Sequence, residues 1–484
     1  MPQITFKSWA AGLDVRQGEF VADANRLRIL RNAYISNGKV PRKRPALDEA
    51  YTLPENTHGL AQMDGDLHVF YDVQHPAPSL PAGIRAHGLN SISGAPDIRR
   101  IWYAEHFNGQ LYVVAEYVGG QFQHHFLDGG TDTRIADGNC PKTRTVTKRG
   151  QRLYAASRDV VRYCAGADPR NWTPEETPDS LSAGLLPVNV QADGNDLVKA
   201  LGAYHDNIVV WTDDHAQLWH VDADQTTNQF RKLVYSGARD YYGHAGMAGD
   251  LFFLSNQGVR SITQQSDTDN VHDIDVGTAI DDLFAGEPGE GRCAYIRKYG
   301  QLWFWFDHDY TLATGVSVRG SRVYVYTLSK VSKISAWSEY LFPERIDYVA
   351  EAYQTVFIRT ANRISQLVDR GVYKDYGKAG TEEGTGIEVY VEMPFVDFKG
   401  PGVTKQLWGA DFVFQGTAEF AIKYDSRYPD RQTGWQSISN DSRPGPMLPV
   451  EVMGSSFAPV VRHNHNEPFQ LDAITLHYHN LGPI

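Results

Sequence analysis

The hydrophobic pattern of the chain is built around a short unit that returns seven times. A polar or glycine lead is followed by an aliphatic residue and then by aromatic or β-branched residues, as in Asp250-Leu251-Phe252-Phe253-Leu254. With Leu251, the copies begin at Leu67, Leu111, Leu153, Ile208, Leu302 and Val356, at successive intervals of 44, 42, 55, 43, 51 and 54 residues. Four apolar residues in succession read as a strand buried on both faces. After the turn at Ser255-Asn256-Gln257-Gly258, the run Val259-Arg260-Ser261-Ile262 alternates and so has one wet face. This hairpin runs from the inside of a structure towards its rim. A repeat of this length holds about four short strands, the size of one β-propeller blade, and seven copies predict about seven blades.

The flanks of the repeats have another texture. Near the start, Asn32-Ala33-Tyr34-Ile35-Ser36, Asn37-Gly38 and Lys39-Val40-Pro41 predict a hairpin with a type I′ turn, because Asn-Gly suits two positive φ angles. Upstream, Asn25 to Arg31 is read as one or two turns of helix. Pro76 to Pro96, rich in Pro, Gly, Ser and Ala, is read as a long exposed loop. Thr278 to Phe284 is read as a short helix behind Asp267, Asp269, Asp273 and Asp275. From about residue 386, Val389–Phe395, Leu407–Phe414, Ala418–Tyr424 and Leu471–Tyr478 alternate at period two, as strands of a sandwich do. The domain reading is an N-terminal arm and hairpin over 1–50, a propeller over 51–385 and a β-sandwich-like domain over 386–484. The glycine-punctuated run Gly377–Gly384 is the boundary between the last two.

Composition agrees with an all-β protein. The 484 residues include 26 Tyr, 21 Phe, 10 Trp and 44 Gly, which favours strands and turns. A hydrophobic share of 42% and a charged share of 21% exclude a disordered chain. No apolar run reaches the 18 or so residues of a membrane span, and Met1 to Trp9 has no signal-peptide core, so a soluble chain completed in the cell that makes it is expected. The three cysteines, Cys140, Cys164 and Cys293, are too far apart for a zinc knuckle and odd in number, so buried free thiols are expected. A formal net charge of −12 excludes a protein whose whole surface grips nucleic acid.

The chemistry-bearing candidates are few. The four aspartates before Thr278 lack the glycine and terminal glutamate of an EF-hand loop, so a solvated turn is expected there. His124-His125, adjacent on a strand, face opposite sides and chelate poorly. His463 and His465 share a face, but no third ligand is in sight, so surface loop histidines are expected. Asp213-Asp214 and Asp307 carry no weight as glycosidase carboxylates by themselves. The Ser-x-Asp-x-Gly-x-x-Trp turns of sialidase-like propellers are absent, as are a phosphate loop, a Gly-x-Ser-x-Gly elbow and His-Glu-x-x-His. No catalytic residue, cofactor or metal site is assigned. One basic run, Arg42-Lys43-Arg44 before Pro45, is the candidate interface.

Three passages together resemble the tail nozzle or tail-hub proteins of short-tailed bacteriophages, also called phage stabilisation or tail tubular proteins. They are Asn32-Ala33-Tyr34 to Lys43-Arg44-Pro45, then Gly249 to Ile262, and then Ser455-Ser456-Phe457-Ala458-Pro459 leading to Leu471–Tyr478. The family's frequent Arg-Pro-Gly stands here as Arg44-Pro45-Ala46. The resemblance implies a non-enzymatic virion protein, a propeller with added β domains, assembled in the host bacterial cytoplasm into the tail. It implies a homohexameric ring below the portal and adaptor that continues the DNA-ejection channel and supports fibre, spike or needle proteins. Genomic duplex would pass without sequence-specific binding. About a dozen cations on the channel wall would act as a brake, with affinity changing by roughly 0.9 log units per contact for each log of salt. Arg42, Lys43 and Arg44 are therefore expected at a protein interface and not in the lumen. The rival reading is a propeller that binds or cleaves host glycans, with Trp and Tyr as stacking platforms.

Overall fold

The structure, a computed structural model, describes residues 2–16, 25–90, 97–129, 131–190, 197–263, 276–311, 315–377, 383–439 and 447–483. Within them the chain is nearly all β, and six small sheets together with one end of an eleven-stranded sheet follow one another as the blades of a propeller. We number the blades in chain order. Their inner strands are His58–Met63, Ile98–Phe107, Val146–Arg149, Ala200–Tyr204, His244–Met247, Arg292–Ile296 and Tyr348–Ala352. The second strand of each blade carries one copy of the repeat: Asp66–Asp72, Gln110–Tyr117, Arg152–Ser157, Asn207–Trp211, Asp250–Ser255, Gln301–Thr311 and Thr355–Thr360.

The position of these strands explains the unbroken apolar runs. In Gln110–Tyr117, Leu111, Val113 and Ala115 pack against blade 1 with Phe70 and Leu89, while Tyr112 and Val114 pack against blade 3 with Leu153 and Trp172. In Asn207–Trp211, Ile208 and Val210 meet blade 3, and Val209 and Trp211 meet blade 5. A second strand is covered by a neighbouring blade on each face, so both parities of its side chains are apolar. Truncating one such leucine leaves a cavity in a close-packed interior, at a cost of about 2–5 kcal/mol.

The ring closes through an early strand. Ala46–Thr52 runs antiparallel to Arg363–Val368 and completes blade 7, and the inner strand of blade 7 packs beside that of blade 1. The propeller therefore begins at residue 46, and the boundary expected at 51 moves accordingly.

The C-terminal region forms two sheets, as its alternation predicts. One contains Val403–Gln415 between Gln470–Pro483 and Leu448–Gly454, with Gln3–Phe6 added antiparallel to Gln470–Pro483. The other contains Val389–Glu392, Ala458–His463, Thr417–Lys423 and Gln436–Ser439. The second sheet continues through Ile29–Arg31 into blade 6, because Ile29–Arg31 pairs with both Val389–Glu392 and the strand Ile334–Phe342. Propeller and sandwich thus share a sheet and one core, which runs from Trp9, Leu27 and Leu30 through Phe252 and Trp337 to Phe420, Leu407 and Leu476.

Local expectations fare unevenly. The arm at Asn25–Arg31 is extended, as Arg26–Leu27 and Ile29–Arg31, and not helical. Its backbone donors go to other strands, Arg28 N to Glu392 O and Asn32 N to Glu339 O, so tertiary pairing overrides local helix propensity. The hairpin Ala33–Ile35 with Pro41–Lys43 is present, but Gly38 does not take a positive φ; Lys39 does, at 64°. The turn is closed by Lys39 N donating to Ser36 O, and it is not the expected type I′. Within Pro76 to Pro96, Ile84–Leu89 is a third strand of blade 1, parallel to Asp66–Asp72. A five-residue helix, Asp281–Ala285, lies where a helix was expected. The aspartates at 267, 269, 273 and 275 and most of the boundary run 377–384 lie outside the described residues.

Candidate functional site

All seven inner strands border the propeller axis. A cavity of about 460 Å³ along it is lined by Leu60, Trp102, Lys148, Ala203, His244, Cys293 and Val349, one residue from each inner strand. A second cavity of about 530 Å³ opens at the end where the inner strands begin, and His58, Arg100, Glu290 and Arg359 line it. Arg292, Trp305, Asp347 and Tyr348 line both, so the two are the mouth and the shaft of one axial passage.

The mouth is rich in cations held by aromatic rings. Arg100 and Arg144 lie 4.5 and 4.6 Å from the centroid of Trp102, and Arg292 lies 5.7 Å from it. Arg144 also lies 3.6 Å from the ring of Tyr241, with Lys199 5.5 Å from the same ring. Tyr242 stacks on Trp102, and its hydroxyl donates to the carbonyl of Arg144. The indole N–H of Trp102 donates to Glu116 at 2.6 Å, which fixes the ring. Arg100 and Arg144, on one centroid, are at most about 9 Å apart, a repulsion of roughly 2 kcal/mol at an effective dielectric constant near 20. Cation–π attraction of about 0.5–2 kcal/mol for each guanidinium offsets this, so the cluster keeps its charge without a carboxylate clamp. Among the described residues, Arg100, Arg144 and Arg292 form no salt bridge.

The remaining groups at and near the mouth are of mixed charge, and the carboxylates Glu55, Glu290, Asp307 and Asp347 are among its lining. His58 is pushed down to about 4 by burial and by Arg359, and is neutral at pH 7. The Glu290 carboxyl is raised by burial against the opposing pull of Arg144 and Arg100, and its Oε1 is buried without a hydrogen-bond partner. Asp240 is pushed up to about 6 by burial. Arg359 is spent on the structure, donating to Gly59 O at 2.6 Å and to Thr57 O. Arg345 pairs with Asp307 and Asp309, and Arg99 with Glu116.

The basic run near the N-terminus divides. Arg42 is exposed, while Lys43 and Arg44 are buried inside the chain. The Lys43 ammonium donates to His465 O at 2.9 Å and contacts His463 Nε2 at 3.1 Å, and burial beside Arg44 pushes it down to about 7. Arg44 forms a two-pronged pair with Asp375. Lys43 and Arg44 are internal struts, and the interface role expected for the run narrows to Arg42.

The histidine pairs also resolve. His124 and His125 are fully buried on opposite faces of their strand, His124 against Tyr112 and Thr143 O, His125 against Asp132 and Tyr117. His463, expected in a surface loop, is buried at the end of the strand Ala458–His463, pushed down to about 4 by burial and Lys43, while His465 is exposed. Among the described residues no group of three or more His, Cys, Asp or Glu is placed to hold a metal ion. Asp213 pairs with Lys199. Cys140 and Cys164 are buried free thiols, and Cys293 is partly buried and free. Among the described residues no helix is long and apolar enough to cross a membrane.

Comparison with known proteins gives neither a family nor a role. No protein-family model matches the chain, and no curated protein matches it. Solved structures with a weak likeness to it include the Neurospora crassa Pan2 WD40 domain, 8% identical, covering 68% of this chain and 90% of that chain with a TM-score of 0.34. An exo-beta-1,3-galactanase from Phanerochaete chrysosporium with beta-1,3-galactotriose is 11% identical, covering 77% of this chain and 95% of that chain, TM-score 0.27. A chain of a mitotic checkpoint complex is 11% identical, covering 76% and 95%, TM-score 0.34. These likenesses carry nothing about activity.

Sequence reasoning passed over the mouth, although a signal for it exists. Nine to eleven positions ahead of the seven repeat aliphatics stand His58, Arg100, Arg144, Lys199, Tyr242, Arg292 and Asp347. This offset is about the length of an inner strand and its turn, so the seven residues stand near the starts of the inner strands, and His58, Arg100, Arg292 and Asp347 of them line the mouth. Four of them are cations and one is an anion.

Proposed function

We propose that the chain is a structural part of a short-tailed bacteriophage virion, the nozzle or hub of the tail. In this reading its copies form a six-membered ring that continues the DNA channel below the portal and adaptor and carries fibre, spike or needle proteins. One observation carries the proposal. The three passages that resemble that family lie far apart in sequence, yet they supply one continuous core: Ala33 and Ile35, then Phe252, Leu254 and Val259, then Phe457, Leu471, Ile474 and Leu476. That core locks the propeller to the sandwich, which suits a rigid pipe segment.

The axial passage of the propeller is the size of a small-molecule pocket. It cannot pass a duplex whose major groove alone is about 12 Å wide, so the DNA would run between copies and not through one. Arg42 is assigned to the contact with the adaptor, and a closed ring repeats that contact at every subunit. The test is light scattering of the purified chain with and without the adaptor of the same tail. A six-copy species is expected, and Arg42→Glu should stay folded but lose adaptor-dependent assembly. Normal assembly of that variant removes the role of Arg42; a chain that stays monomeric with the adaptor overturns the reading. The rival reading, recognition of host glycans, is favoured by the pocket-sized mouth, and retention or turnover on a glycan panel without ring formation would select it.

A further inference from the structure

We propose that the mouth of the propeller axis is an anion-binding site that takes one oxyanion group, a carboxylate or a phosphate, of a ligand lowered onto the axis. The inference rests on neither functional reading above, since it concerns the isolated chain.

Three features of the mouth converge on it. Arg100 and Arg292 line the mouth together with the carboxylates Glu55, Glu290, Asp307 and Asp347, and Arg144 stands beside it on Trp102 and Tyr241, with Lys199, paired with Asp213, on the same Tyr241 ring. Arg100 and Arg144 are held over the rings of Trp102 and Tyr241, a contact that does not itself use the guanidinium N–H groups as hydrogen-bond donors. No side-chain hydrogen bond or salt bridge among the described residues consumes those edges in Arg100 or Arg144, in contrast to Arg359, which is saturated by backbone carbonyls. The adjoining cavity, about 530 Å³, is in the range of ligand pockets.

The ligand class follows from the donors. Guanidinium edges match the paired oxygens of a carboxylate or phosphate, and the Trp102 ring is already engaged by Arg144, Arg100 and Tyr242, which leaves it a poor platform for a neutral sugar ring. Glu290 sets the affinity. Its partly buried carboxyl shares the mouth with Arg100 and Arg144 without a salt bridge to either, so it is a built-in competitor that a stronger anion must outweigh. Its removal should tighten binding. An acidic protein with a cationic mouth also draws anions to that one place.

The experiment follows the indole N–H of Trp102 in protein labelled with ¹⁵N-tryptophan, its signal assigned by Trp102→Phe. Inorganic phosphate, glucuronate and glucose are titrated at constant ionic strength. A saturable shift with phosphate or glucuronate and none with glucose is expected, and which of the two acts tells a phosphorylated ligand from a sugar acid. Arg144→Gln, whose side chain makes no hydrogen bond to the fold, should weaken the response about tenfold, equivalent to about 1.4 kcal/mol. Glu290→Gln should strengthen it, and Arg427→Gln, an exposed and remote cation paired with Asp425, should leave it unchanged. The proposal is overturned if neither anion gives a saturable shift, if glucose gives the same shift, or if Arg144→Gln and Arg427→Gln behave alike.

Discussion

Removal of the Arg44 guanidinium is the sharpest probe of how the N-terminal arm is fixed to the propeller, since its partners Asn32, Leu341, Phe342 and Asp375 belong to those two parts. Its five N–H donors are all used: Nε to Asn32 Oδ1 at 3.0 Å, Nη1 to Pro45 O and Asp375 Oδ1 at 2.9 Å each, and Nη2 to Leu341 O at 2.8 Å and to Asp375 Oδ2. The group also lies 4.3 Å from the centroid of Phe342, and the Arg44 and Asp375 side chains are each 1% exposed. After Arg44→Met, Asp375 keeps only the donation from Leu47 N, so a carboxylate is left buried and unpaired. The expected loss is about 3–5 kcal/mol, read as a fall in the urea midpoint followed by tryptophan fluorescence at pH 7. The double variant Arg44→Met with Asp375→Leu removes the stranded charge and should cost less than the two single changes together, by a coupling of about 1–3 kcal/mol. A loss below about 1 kcal/mol in Arg44→Met, or costs that simply add, would refute the assignment of Arg44 as an internal strut. The same geometry bears on the basic run as a docking element. Arg44→Glu would press two carboxylates together in a dry site and should keep the monomer from folding, whereas Arg42→Glu should change stability by less than about 0.5 kcal/mol.

Leu302→Ala, fully buried in the second strand of blade 6, should cost about 2–5 kcal/mol, while Val331→Ala, 96% exposed, should cost nothing measurable in the same urea series. Lys43 gives a pH signature. Folding lowers its pKa to about 7 from 10.5, so between those values the unfolded chain binds the extra proton and stability rises with pH. From pH 7.5 to 9 the wild type should gain about 2 kcal/mol more than Lys43→Met, and equal slopes would show that Lys43 is not buried as described. Cys140 and Cys164, each pushed up to about 12 by burial, should resist a thiol reagent at pH 8 until urea unfolds the chain; rapid labelling of either in the native state would contradict the packing around Trp172 and Leu153.

What the sequence made legible follows from where burial is symmetric. Leu111 to Ala115 and Ile208 to Trp211 stand out because neighbouring blades cover both faces of their strands, and that requirement recurs at each blade. The closing strand Ala46–Thr52 was not legible, since only Ala46 and Leu47 of it are fully buried and the rest mixes charged and partly exposed positions. The extended form of Ile29 to Arg31 was hidden because its strand partners, Glu339 and Glu392, lie more than 300 residues away, and local propensity carries no trace of them, while Arg26–Leu27 is held by the short strand Gly12–Leu13. The mouth was illegible for a different reason. Arg100, Arg144, Lys199 and Arg292 come from four blades, and only their similar offset of nine to eleven positions from the repeat brings them into one frame. In the basic run the sequence shows three cations in a row, but the strand alternation and the neighbouring Asp375 decide which of them faces water.

The central claim, that copies of this chain assemble as a structural ring, is met most directly by electron microscopy of the purified protein mixed with the tail adaptor. Six-fold rings with an open centre wide enough for a duplex, each subunit a propeller with its sandwich in fixed orientation, are the predicted result. Single propellers with no ring at any protein concentration or adaptor ratio would contradict it.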